Sequence, residues 1–111
     1  MSRDYRVYLD DALEAIRRIE NYTRDLSFEA FSADEKTVDA VVRNLEIIGE
    51  AIKKVPAEVC SRHPNVEWKK ISGLRDILIH HYFGIDLAII WDIVSKKLPD
   101  LKDQIQRILS E

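Results

Sequence analysis

An arginine, an aspartate, two histidines and a tyrosine fall within one short segment of the chain, RDILIHHY, at residues 75–82. A histidine titrates near neutral pH, so it can accept or donate a proton during a reaction. An arginine fork matches a phosphate through two parallel hydrogen bonds. These residue types together have the chemistry needed to act on a phosphodiester.

Cleavage of RNA is a reaction that these side chains could perform. It needs a base for the 2′-hydroxyl proton, an acid for the leaving 5′-oxygen, and a cation for the charge on the phosphorane. Arg75 could supply the cation and His80 a proton-transfer group, and a dimer would supply the second histidine. The sequence holds no carboxylate cluster that suggests Mg²⁺, so we expect metal-free chemistry without a cofactor.

Helix geometry limits this interpretation. Arg75 and Tyr82 are seven positions apart and share a helix face, whereas His80 lies about 140° around the axis from Arg75. The guanidinium of Arg75 and the imidazole of His80 converge only if the helix loosens near Gly84, or if each meets its counterpart across a dimer interface. From spacing alone the other interpretation stays open, in which His80 is an ordinary packed or surface histidine and Arg75 and Asp76 are surface charges.

Composition indicates one helical domain spanning residues 1–111. The chain is 46% hydrophobic and 33% charged, and its 3 Gly and 3 Pro offer few turns, which favours long helices over many short strands. No apolar run approaches the roughly 20 residues that cross a bilayer, and the first residues lack the apolar stretch of a signal peptide. We therefore expect a cytoplasmic protein without membrane contact. Cys60 is the single cysteine, which excludes an internal disulfide and a cysteine-based zinc site.

The charge is distributed unevenly. The net charge is −3, but residues 62–81 carry +2 and contain all three histidines, which leaves −5 for the rest of the chain. An anionic partner such as RNA would be expected at this segment.

Apolar periodicity predicts four or five helices in an up-and-down antiparallel bundle. The first helix runs from Asp4 to Leu26, and the second is capped by Ser32 or Asp34 and continues to about Val55. The third begins near Val66 and contains Gly73, which we expect to mark a close helix contact. Asp86 caps a fourth helix, and the residues from Pro99 onward form either a kinked continuation or a fifth helix.

The second helix has two apolar faces. One stripe joins Val41, Leu45 and Ile48, and a separate face carries Ile47 and Ala51. A helix of this kind is packed on two sides, either in the centre of a bundle or against another subunit. This pattern, with the need for two histidines, predicts a homodimer.

The spacing Arg75-x4-His80-x-Tyr82 resembles the Arg-x4-His-x-Tyr motif of HepT-like toxins in the HEPN superfamily. The likeness covers roughly residues 5 to 109. It includes three stretches of the sequence, the second of which contains the motif. They read IIGEAIKKV, HPNVEWKKISGLRDILIHHYFGID and IIWDIVSKKLPDLKDQI.

This resemblance implies an all-α, HEPN-like helical bundle that dimerises and acts as a metal-independent endoribonuclease toxin. It implies a partner antitoxin, an MntA-like minimal nucleotidyltransferase that transfers AMP to the motif tyrosine. Arg75 and His80 match the catalytic pair, Asp76 occupies the polar position after the arginine, and Tyr82 matches the tyrosine that receives AMP.

Two residues receive no role from the resemblance. His81 falls at the variable position of the motif, and Glu50 matches a recurring position whose purpose the sequence does not reveal. The alternative function is a non-catalytic helical module that binds a nucleotide or the nucleotidyltransferase partner. The intact pair of Arg75 and His80 favours the ribonuclease, because a binding module would not need both.

Overall fold

The chain folds into eight α-helices and a π-helical segment over the residues that the computed structural model describes. These are residues 4–80 and 86–111, with Ile77, Ile79 and His80 described by their backbone alone. The elements are α1 (Tyr5–Thr23), α2 (Phe28–Ala33), α3 (Glu35–Lys53), α4 (Ala57–Arg62), α5 (Trp68–Ser72), α6 (Leu74–His80), α7 (Leu87–Asp92), the π-helical segment Ile93–Lys97 and α8 (Leu98–Leu109). No strand occurs in these two ranges, and the predicted all-helical fold is confirmed.

Two helices of 19 residues each, α1 and α3, form the centre of the core. Lys54, just past the end of α3, places its Nζ 5.7 Å from the ring centroid of Tyr8 near the start of α1, so the two helices run antiparallel. Their facing stripes are fully or almost fully buried and consist of Leu9, Ala12, Ile16, Ile19, Val41, Leu45, Ile48 and Ile52. The amphipathic periodicity of the sequence predicted these stripes.

The helix α3 contacts other helices on more than one side, as its two apolar faces predict. It packs against α1 and α2 and also against α5 and α6. Ile47, on the second apolar face, is only partly buried and lines a groove beside α1, so packing within the chain covers this face in part. The homodimer stays a prediction.

Aspartate caps begin three of the described helices, namely Asp4 at α1, Asp34 at α3 and Asp86 at α7. The backbone N–H of Thr37 donates to Asp34 Oδ1 over 3.2 Å, and the Thr37 hydroxyl donates to Asp34 Oδ2 over 2.7 Å. These hydrogen bonds to the ionised carboxylate lower the pKa of Asp34 below its ordinary value. Asp86 accepts from the N–H of Ala88 over 2.9 Å. Of the two candidate caps for α3, Asp34 is the one used.

Gly73 differs from its prediction. It ends α5 and separates it from α6, and its own N–H donates to the carbonyl of Lys69 over 3.0 Å. A Cβ built on Gly73 would meet, among the described residues, only the carbonyls of Lys69 and Lys70 in the preceding turn. The predicted close helix contact at Gly73 is therefore wrong; the third predicted helix is two short helices with a glycine between them.

Pro99 lies at the start of α8, and the chain stays helical from Leu87 to Leu109. A proline ring clashes with the carbonyl four residues earlier in a regular helix. The turn before Pro99 is widened to a π-helix, in which the N–H of Leu98 donates to the carbonyl of Ile93. Of the two predicted arrangements, the structure shows the continuation, in which helical backbone runs through Pro99 by way of this π-helical turn.

The last helix, α8, closes the core against α1. Leu101, Ile105 and Ile108 are buried, and Lys102 Nζ lies 3.1 Å and 3.2 Å from the two carboxylate oxygens of Glu20. Across the ranges described, none of the helices combines the length and the apolar character required to span a membrane.

Candidate functional site

Helix α6 carries Arg75 in its first turn and ends at His80. The backbone is regularly α-helical between them, so the two residues lie about 140° apart around the axis and about 7.5 Å apart along it. Gly84, near which a looser helix would let the two side chains converge, lies outside the described residues. The divergence expected on a straight helix therefore holds for the backbone from Arg75 to His80.

Helix α6 approaches α3 closely at Gly49. A Cβ built on Gly49 would lie 3.2 Å from the backbone nitrogen of Arg75 and 3.2 Å from the carbonyl oxygen of Ile71. Both contacts are with backbone atoms, which cannot turn aside as a side chain can. The absence of a side chain at Gly49 therefore allows the backbone of Arg75 to rest against α3.

The next residue of α3, Glu50, meets the Arg75 side chain. Its Oε2 lies 3.4 Å from Arg75 Nε, and each of the two side chains is 45% exposed. That oxygen is itself buried and makes no hydrogen bond to any residue the structure describes. The sequence could have pointed to this pair only through the neighbouring glycine, because nothing in the spacing places residue 50 beside residue 75.

Arg75 and Glu50 line a groove of about 460 Å³ that runs along α1 and α3. The groove also carries cations and carboxylates from both helices, namely Asp11, Glu14, Arg18, Arg43, Glu46 and Lys54. Several of them form ion pairs: Arg18 Nε lies 3.6 Å from Glu14 Oε1, and Arg43 Nη1 lies 3.6 Å from Glu46 Oε2. The groove is therefore of mixed charge rather than uniformly basic.

A curated model of the family described as "Ribonuclease HepT-like" matches residues 12–108. The chain belongs to the HepT-like ribonuclease family. A protein of Methanocaldococcus jannaschii named "Putative RNase" is 46% identical to it over 98% of this chain and 90% of its own length. A Thermococcus cleftensis protein named "Probable ribonuclease HepT" is 44% identical over 97% of this chain and 98% of its own length. No solved structure gives a significant match.

The predicted site residues of this HepT-like ribonuclease are described to different degrees. Arg75 and Asp76 are exposed and adjacent in the first turn of α6. The negative carboxylate of Asp76 interacts favourably with the positive N-terminal end of the helix dipole. His80 is placed by its backbone, while His81 and Tyr82 lie outside the described residues. The structure brings Arg75 to Glu50, a partner that the sequence did not assign.

The other chemistry considered from the sequence yields no competing site. Burial raises the pKa of the Cys60 thiol, whose Sγ lies 3.8 Å from the carbonyl of Val55, as for a plain structural cysteine. Within the ranges 4–80 and 86–111, no three or more histidine, cysteine or acidic side chains are grouped as metal ligands. Metal-free chemistry stays a prediction.

Replacing Gly49 with alanine is expected to lower both stability and activity. The added methyl forces α6 away from α3, at a cost of about 1–3 kcal/mol for overpacking, against a gain of up to about 1 kcal/mol in helix propensity. We expect a net loss of about 1 kcal/mol, measured by urea unfolding, together with slower RNA cleavage because Arg75 is displaced.

Gly73→Ala is the matched control for this substitution. No neighbouring helix in the described part of the chain lies near its Cβ position, and its backbone is in the ordinary right-handed region at φ −76° and ψ −12°. A Cβ there would lie 3.2 Å from the carbonyl oxygen of Lys69 in its own preceding turn, which offsets part of the gain of up to about 1 kcal/mol from the entropy of the unfolded chain, so we expect a smaller change in stability than for Gly49→Ala. Equal stability of the two variants would show that Gly49 is not a constrained contact.

Proposed function

We propose that this member of the HepT-like family is a metal-independent endoribonuclease that serves as the toxin of a HepT/MntA-type toxin–antitoxin system. One observation carries the catalytic part of the proposal. The half-exposed side chain of Arg75 opens onto a groove, and it stands on the same helix as His80. Family membership adds the reaction class, and it favours a ribonuclease over a non-catalytic binding module.

The reaction follows from the chemistry of the two side chains. The guanidinium of Arg75 binds the scissile phosphate and offsets the charge that grows on its oxygens. A neutral imidazole removes the proton of the 2′-hydroxyl, and the 2′-oxygen forms a bond to phosphorus. As the bond from phosphorus to the 5′-oxygen breaks, a protonated imidazole donates a proton to that oxygen. The products are a 2′,3′-cyclic phosphate and a 5′-hydroxyl.

Two copies of the chain are part of the proposal. Positions 75 and 80 of one α6 lie about 140° apart around the helix axis, so we do not expect one protomer to supply both groups to the same phosphate. Two copies related by a twofold axis would present two arginines and two histidines to one cleft. We therefore expect a homodimer of about twice the 12.9 kDa chain mass. Light scattering that gives the monomer mass at assay concentration would contradict this arrangement.

The decisive experiment is cleavage of a long single-stranded RNA transcript in the presence of EDTA. Full activity in EDTA, with 2′,3′-cyclic phosphate at the new ends, is the expected result. Ligation of an adaptor to the new 3′ ends identifies their chemistry. Ends with a 2′,3′-cyclic phosphate accept the adaptor only after the cyclic phosphate has been opened and removed. Activity that requires added Mg²⁺, or products that end in a 3′-hydroxyl, would indicate a different mechanism.

Control of the toxin forms the second part of the proposal. An MntA-like nucleotidyltransferase antitoxin transfers AMP from ATP to the hydroxyl of Tyr82, and pyrophosphate leaves. Tyr82 follows Arg75 by seven residues, a spacing that on a helix places both on one face. An adenylate at this position would add negative charge beside Arg75 and compete with the substrate phosphate.

A further inference from the structure

We propose that Glu50 is a positioning residue that orients the Arg75 guanidinium for the transition state. The proposal rests on the proposed ribonuclease function, in which Arg75 contacts the scissile phosphate. Its basis is the contact of 3.4 Å between Glu50 Oε2 and Arg75 Nε, at the point where Gly49 lets the two backbones touch.

The side of the guanidinium that Glu50 approaches matters for this role. An arginine carries five N–H donors, one on Nε and four on the two terminal nitrogens. Glu50 lies next to Nε, and no described residue accepts a hydrogen bond from the terminal nitrogens of Arg75. The terminal pair is the edge that binds a phosphate bidentately. A carboxylate at Nε can therefore restrict the rotation of the fork while leaving this edge open to the groove.

Stability alone gives a poor account of the pair. Both side chains are 45% exposed, and ion pairs of that exposure typically contribute little to stability because solvent screens the two charges. At the same time Glu50 Oε2 is buried without a hydrogen bond, which is unfavourable for a carboxylate oxygen. An unsatisfied buried group of this kind is typical of a site where function, rather than stability, determines the arrangement.

A second ion pair between helices, formed by Glu20 and Lys102, differs from the pair of Glu50 and Arg75 in its hydrogen bonding. Glu20 on α1 receives Lys102 of α8 at both carboxylate oxygens, over 3.1 Å and 3.2 Å, and its side chain is 42% exposed. Both carboxylate oxygens of Glu20 therefore accept a hydrogen bond, and neither residue lines the groove. It matches Glu50 in exposure and in joining two helices, so Glu20 provides a control for the purely structural effect of losing an ion pair.

Glu50→Gln keeps the size of the side chain and removes its charge. The looser guanidinium should lower kcat, by up to about 100-fold, which is the scale for a small misplacement of a reacting group. KM for RNA should stay the same or fall, because the lost negative charge no longer opposes the phosphate. Glu20→Gln should leave both constants near the wild-type values. A merely structural role for Glu50 would instead affect both variants alike.

The test compares Glu50→Gln with the wild type in two backgrounds, the native chain and Arg75→Ala, on one transcribed single-stranded RNA with enzyme in excess. If Glu50 acts through Arg75, the substitution slows cleavage in the native background and has no further effect once Arg75 is absent. The ¹⁵Nε–¹Hε signal of Arg75 is measured in parallel. It should report a more mobile guanidinium in Glu50→Gln and an unchanged one in Glu20→Gln.

The outcomes separate two failures. Suppose that Arg75→Ala cleaves much more slowly than the wild type. If Glu50→Gln then cleaves at the wild-type rate, or lowers the rate by the same factor in both backgrounds, Glu50 is not a positioning residue. If Arg75→Ala retains full activity, the catalytic assignment itself is wrong, and the role of Glu50 falls with it. Should Glu50→Gln fail to fold, Glu50→Asp keeps the charge but withdraws the carboxylate from Nε, and the same comparison applies.

Discussion

His80→Ala is expected to lower the rate of RNA cleavage by about 10²–10⁴, the usual contribution of a general acid or base. Arg75→Ala should have an effect of similar size, because the charge developing on the phosphate loses its partner. Arg75→Lys should not restore the rate, since an ammonium lacks the planar fork. Cleavage of labelled RNA and growth inhibition on expression measure the effect. Circular dichroism confirms that the helices remain.

His81→Ala is the matched control, because it removes the same side chain one position further along. It should retain most of the activity, as its place in the motif carries no assigned role. Asp76→Asn tests the residue after the arginine and should have a smaller effect than His80→Ala, because Asp76 is exposed in the first turn of α6. Full activity in His80→Ala with loss in His81→Ala would move the chemistry to the neighbouring histidine.

Tyr82→Phe should produce a ribonuclease that the nucleotidyltransferase cannot silence. The substitution keeps the ring and removes the oxygen that accepts AMP, so cleavage continues and co-expression of the partner no longer rescues growth. The wild-type chain, incubated with partner and ATP, should gain the mass of one or more adenylates and lose activity. Intact-mass spectrometry and plating efficiency are the two measurements.

Tyr22→Phe is the control for this experiment. Tyr22 is 41% exposed near the end of α1, so it is an accessible tyrosine outside the motif. This variant should gain adenylate and lose activity as the wild type does. Adenylate added equally to the Tyr82→Phe protein would show that another residue is the acceptor.

Features that depend on local sequence were predictable, and features that depend on tertiary contact were not. The caps at Asp34 and Asp86 and the buried stripe of α3 follow from hydrogen-bonding side chains and apolar spacing, which operate within a few residues. The close helix approach was assigned to Gly73 because a glycine within a periodic pattern has the same appearance whether it ends a helix or touches one. Only the packed chain shows that Gly49 makes the contact.

The candidate site divides in the same way. Arg75 and His80 could be found from residue types and spacing, since both stand on one helix and carry recognisable chemistry. Glu50 could not be given a role, because its partner lies 25 positions away and on another helix. The π-helical turn before Pro99 could not be predicted from the sequence either. A proline is compatible both with a kinked helix and with the first turn of a new one, so the sequence does not distinguish the two.

The contact at Gly49 keeps Arg75 in place when residues elsewhere in the core are substituted. Where two helices are separated by side chains, each change of residue size alters their spacing, and a reactive group on either helix moves with it. Here main chain rests on main chain, so the distance is determined by atoms that every substitution elsewhere leaves in place. Core residues around the contact can then change in size without carrying the arginine away from its place.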